Sequence, residues 1–134
     1  MAIKRISKEE QALAFGVFSP VGHVVVALPD DKAADAAARE LREQGFDEAD
    51  VLQYSAREES QAMARMLAGI TGTAEFGHEV VLMRKYKELA DKGCGWLVVY
   101  APEKERCEKV VEVARRHRAL LAEKYHRLVV EDLI

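Results

Sequence analysis

The sequence predicts an α+β fold in which two βαβ halves share one antiparallel four-stranded sheet, with a helical insertion between the halves and a short N-terminal helix. Three observations predict it. The stretches HVVVALPDDK from His23 and WLVVYAPEKE from Trp96 are near copies of one another. Aligning Pro29 with Pro102 carries Val25 onto Val98, Asp30 onto Glu103 and Arg42 onto Arg115 without a gap, a constant offset of 73. Each copy passes from a continuous apolar run of strand length into an acidic turn and an amphipathic helix.

Ser7 and Glu10 have the spacing of a capping box, which predicts a helix over about Lys8 to Phe15. Val24 to Leu28 is the first strand. Pro29, Asp30 and Asp31 open a helix whose apolar side is a run of alanines and Leu41, a thin face that lets it sit close to a sheet, and Gly45 ends it. Val51 to Ser55 is a second strand. Ser55 and Glu58 form another capping box, and Met63, Met66, Leu67 and Ile70 lie on one helical stripe, predicting a helix over 56–70. After the glycines of GITGTAEFG the period resumes with Phe76, Val80, Met83 and Ala90 and stops at Lys92-Gly93. Trp96 to Ala101 is the third strand. A last helix follows Pro102, with Val110, Val111, Ala114, His117 and Leu121 inward, and Tyr125 to Val130 alternates as the fourth strand. The chain thus reads as a single domain, 1–134, divided into a first half at 23–55, an insertion at 56–92 and a second half at 95–133.

Two βαβ halves around a pseudo-twofold match the ferredoxin-like arrangement, with strands 1 and 3 central and 2 and 4 at the edges. Strands 1 and 3 are apolar throughout, whereas 2 and 4 alternate, as that placement requires. The strand period puts His23, Val25 and Ala27 on one face with Trp96, Val98 and Tyr100, and Val24, Val26, Leu97 and Val99 on the other. Two crossover helices cover one face only. The second must be covered by the insertion, a ligand or a second subunit, and a homodimer aided by the insertion is expected.

Net charge is -3, from 20 Lys and Arg against 23 Asp and Glu, and the two signs are interleaved. That argues against nucleic acid as the main partner, although Arg115, Arg116 and Arg118 form a local basic group. No apolar run has the length of a signal peptide or a membrane span, so a cytoplasmic protein with no membrane partner is expected. Cys94 and Cys107 are too few for a disulfide framework and lack zinc spacing.

The candidate chemistry is sparse. The junctions at Pro29 and Pro102 each join a strand to a helix start, where a phosphate could bind, but Asp30, Asp31, Glu103 and Glu105 already place carboxylates there. Glu75 to His78 and Glu123 to His126 have the E-x-x-H spacing of di-iron bundles without the further ligands that chemistry needs. Glu75, His78 and Glu79 are the candidates for a single metal, and the commoner use of such residues is helix-surface chemistry, so no metal or cofactor is expected. Cys107, early in the last helix, matches the packing position Ala34 on the repeat and reads as a buried thiol before a redox sensor. His117 has no nucleophile fixed near it. His23, Trp96, Tyr100, Met63, Met66 and Phe76 are the candidate ligand or partner surface, with core packing as the competing use.

The stretches VVVALPDDKAADAAARELREQGFDEADVLQYS and YAPEKERCEKVVEVARRHRALLAEKYHRLVVEDL resemble the two halves of the bacterial general stress, or heat-induced stress, protein group. The resemblance covers about Val24 to Ser55 and Leu97 to Leu133, and implies no catalytic residues. That group often has a Gly-rich middle segment, whereas this insertion is amphipathic and charged. The function expected is therefore a stress-related binding or regulatory homodimer without catalysis. The alternative is a dimeric α+β barrel enzyme, or a protein binding haem or another small molecule, with its cavity against Trp96 and Tyr100.

Overall fold

The computed structural model describes residues 21–69, 78–126 and 129–134. These form, in order, β1 (His23–Leu28), α1 (Asp31–Glu43), a 3-10 turn (Glu48–Asp50), β2 (Val51–Tyr54), α2 (Ala56–Ala68), α3 (His78–Asp91), β3 (Gly95–Tyr100), α4 (Lys104–Arg116), β4 (Leu121–Tyr125) and β5 (Val130–Asp132). The helix expected over Lys8 to Phe15 lies outside the described residues. All neighbouring strands are antiparallel, in the order β2-β3-β1-β4-β5. β1 and β3 are central, with His23 opposite Tyr100 and Val25 opposite Val98.

Among the described residues the sheet has five strands, not four, and the last long strand starts earlier than the sequence suggests. β4 covers 121–125 where a strand over 125–130 was expected, and it is an inner strand because β5 pairs outside it, Lys124 opposite Glu131. Leu121 opens β4 instead of lining the last helix. The reason is the end of α4. Arg118 turns the backbone into the left-handed region with φ 61°, so the helix stops at Arg116 although the periodic pattern continues. Its counterpart at the same offset of 73 is Gly45, φ 101°, which ends α1. The closing hydrogen bonds repeat too. Phe46 N donates to Leu41 O at 3.1 Å in the first copy, and Ala119 N donates to Ala114 O at 2.9 Å in the second.

Both sheet faces are covered. On the first, α1 and α4 bury Ala34, Ala37, Ala38, Leu41, Val110, Val113 and Ala114 against Val24, Val26, Leu28, Leu97 and Val99. The alanine side of α1 permits a close approach: a Cβ on Gly95 of β3 would lie 2.7 Å from Asp30 O and 2.8 Å from Ala34 Cβ. On the second face α2 and α3 bring Met63, Met66, Leu82, Met83 and Tyr86 onto Val25, Ala27, Trp96, Val98, Leu121 and Tyr125. The insertion itself therefore covers the face that the βαβ helices leave open. Among the described residues no helix is long and apolar enough to cross a membrane.

Candidate functional site

Of the residues expected to form a surface on the second face, His23, Trp96, Met63 and Met66 lie inside the molecule. Trp96 is fully buried, with its ring edge-on to Tyr86 at 5.3 Å, and Met63 and Met66 are buried in the same layer. His23 is buried, stacked obliquely on the half-buried Tyr100 at 5.0 Å, with its Nδ1 3.0 Å from Val21 O. Phe76 lies outside the described residues. Trp96, which stands where the first copy has His23, thus serves the layer under α3, whereas Tyr100 stays half-buried against His23.

That layer contains polar groups for which the sequence gives little warning. Glu123, inward on β4, accepts from Tyr86 Oη at 2.6 Å and from Lys85 Nζ at 3.1 Å, and the hydroxyls of Tyr86 and Tyr125 lie 2.7 Å apart. This network ties α3 to β4 through three almost inaccessible side chains, and burial, followed by its neighbours, pushes the Tyr86 phenol far up. Glu59 is different. It precedes Met63 by one helical turn on the inner side of α2, its Oε1 has no hydrogen-bond partner among the described residues, and burial raises its pKa to about 7. The indole N–H of Trp96 in the same layer also has no partner among the described residues.

An open groove lies on the first face, where β5 extends the sheet beyond α4. It has a volume of about 780 Å³, within the roughly 300–1,000 Å³ usual for small-molecule sites. Pro102, Cys107, Val111 and Leu133 give it apolar walls, and Lys104, Glu108, Arg115, Lys124, His126 and Glu131 supply charge. Strand alternation places these groups: Glu123 and Tyr125 face α3, so Lys124 faces α4, where its Nζ donates to Pro102 O at 3.1 Å. Lys124 is only 8% exposed and makes no ion pair among the described residues. Several nearby charges are already engaged. Glu131 accepts from His126 at 3.0 Å, Glu112 from Arg116 at 2.9 Å, and Arg115 reaches Leu133 O at 3.5 Å.

The remaining candidates have structural partners. Asp30 caps α1 by accepting from Ala33 N at 2.7 Å, and Asp31 accepts from Ala56 N at 2.8 Å, fixing the start of α2. Ser55 and Glu58 complete the predicted capping box. Glu103 differs from its counterpart Asp30: α4 has no side-chain cap. His117 is not on the helix but caps its end, with Nε2 2.9 Å from Glu40, and Arg116 bonds the same carboxylate. Those bonds, that to Arg116 foremost, hold the Glu40 carboxyl below the usual range. Both thiols are pushed up, chiefly by burial, so the dipole of α4 does not make Cys107 a ready nucleophile. Glu123 and His126 sit three apart on a strand and its end, not on a helix, and make separate contacts. His78 and Glu79 begin α3, whereas Glu75 lies outside the described residues. Among the described residues no group of three or more His, Cys, Asp or Glu could hold a metal.

No family model, curated protein or solved structure matches the chain. The groove combines apolar walls, the buried cation of Lys124, the Cys107 thiol and the His126 imidazole, whose Nε2 lies against Glu131.

Proposed function

We propose that the chain is a non-catalytic binding or regulatory protein of the cytoplasm, and that its working surface is the groove between α4 and the β4–β5 edge. The observation that carries this reading is a ligand-sized, apolar-walled cleft beside a sheet whose second face is occupied by α2 and α3. The strand order β2-β3-β1-β4, with crossovers through α1 and α4, supports a ferredoxin-like core extended by β5. A barrel enzyme with its cavity against Trp96 and Tyr100 would need that occupied face to be open. The test is a titration of isotope-labelled protein with 1-octanol, an uncharged probe. Amide shifts concentrated at Cys107, Val111 and Leu133, and lost in Val111→Trp, are expected; shifts that ignore Val111→Trp would remove the reading.

The same proposal makes the protein a homodimer, through an outer surface now that α2 and α3 cover the second face. Val129 and Ile134, 61% and 39% exposed, are apolar side chains beside β5 that are available for it. Sedimentation equilibrium at micromolar concentration should give twice 15.0 kDa. A value of 15.0 kDa throughout removes the dimer and leaves the groove reading intact. A stress-related role is supported by the resemblance of the two halves to general stress proteins, and abundance that rises after heat challenge is its test.

A further inference from the structure

Resting on the groove as the binding surface, we propose that its ligand is a single-chain amphiphilic carboxylate, with the apolar body along Cys107, Val111 and Leu133 and the carboxylate on the Lys124 ammonium. A lysine more than nine-tenths buried is rare unless paired, and among the described residues its ammonium donates to a neutral carbonyl, Pro102 O at 3.1 Å. Burying an ammonium without a counter-ion is costly. An anion entering the groove removes that cost and uses donors that one carbonyl leaves over.

The surroundings of Lys124 favour the same head group. Pro102 and Lys104, which line the groove with it, belong to the start of α4, where no side chain caps the helix. In the first copy of the fold the equivalent start is closed by Asp30. The acidic groups at the groove limit how much negative charge it takes: Glu112 and Glu131 are held by Arg116 and His126, while Glu108 stays on the lining outside those pairs. A single carboxylate suits one buried ammonium better than a multiply charged phosphate would. The apolar walls select for a hydrocarbon or aryl body over a sugar or a nucleoside.

Calorimetric titration with octanoate, 1-octanol and acetate separates the parts of the proposal, using wild type, Lys124→Met and Val111→Trp. Lys124→Met keeps the apolar stem, and Lys104→Ala, at an exposed position, serves as a second charge variant that leaves the fold intact. Octanoate is expected to bind wild type at least tenfold more tightly than 1-octanol, a preference lost in Lys124→Met and reduced in Lys104→Ala. Acetate should not bind, and Val111→Trp should weaken both eight-carbon probes. Equal binding of octanoate and 1-octanol to wild type, both weakened by Val111→Trp, overturns the carboxylate assignment and leaves the groove reading standing. Binding that Val111→Trp does not touch, or no binding of either probe, overturns both.

Discussion

Arg118 holds a backbone conformation that L-residues adopt at a cost of roughly 1–2 kcal/mol, at the position where the first copy of the fold has Gly45. Its side chain is exposed, so the arginine does not repay that cost by packing. Arg118→Gly is therefore expected to raise stability by about 1 kcal/mol in urea denaturation; a loss of stability would mean that the side chain is needed where it stands. The same residue explains the main error in reading the sequence. A helix that ends on a left-handed arginine has no glycine or proline to announce it, so ARRHRALLA reads as continued helix and β4 is placed too late. Glu59 was legible in position but not in environment: it lies four residues before Met63 on the stripe, yet a carboxylate argues for the outer side. Because burial raises its pKa to about 7, the folded chain keeps the proton that the unfolded chain releases near 4.5. Stability thus falls as pH rises through that window and levels off above it, by roughly 3 kcal/mol in all. Glu59→Met should remove this dependence and be the more stable protein at pH 8. Parallel stability curves for the two proteins from pH 5 to pH 8 would contradict the burial argument.

At the scale of elements, the duplicated phrase carried most of the fold. The offset of 73 read from the sequence reappears in the bounds of α1 and α4 and in the hydrogen bonds that close them. The larger break is in the connection to the next strand, where the first half spends residues on a 3-10 turn and the second enters β4 directly. The thin alanine side of α1 was equally legible, and its consequence is the contact with Gly95. Gly95→Ala forces a methyl group against Asp30 O, Ala34 Cβ and Asp31 Cα, all backbone or packed atoms within 2.9 Å. Helix and sheet must separate or strain, and a loss of about 1–3 kcal/mol is expected. Gly69→Ala, whose nearest neighbour would be Met66 O at 3.6 Å, is the control with little steric cost. If both variants melt together, α1 is not held at that distance by the missing side chain. The groove was not legible at this scale, because its far wall is β5, and a three-residue strand with one apolar residue has no periodicity to detect.

For the whole molecule, the decisive feature is which elements close the second face. The apolar character of β1 and β3 on both faces required a cover there, and left open whether it would come from the same chain. α2 and α3 provide it: they are joined to each other by Ser60 Oγ on Asp91 Oδ1 at 2.5 Å and pinned to the sheet by the Tyr86–Glu123–Tyr125 network. Tyr54 pairs with Trp96, so the ends of β2 and β3 are neighbours and a two-residue turn can connect them directly. Replacing residues 56–94 by Asn-Gly should therefore leave a complete sheet with α1 and α4 on its first face. Its second face would expose Val25, Ala27, Trp96, Val98, Leu121 and Tyr125 together, a contiguous apolar patch of the kind that monomers rarely present. Such a chain is expected to associate through that face, with Trp96 fluorescence shifting to the blue as concentration rises. A deletion variant that stays folded and monomeric, with Trp96 exposed to quencher at every concentration, would show that the sheet does not depend on the insertion to remain a single chain in solution.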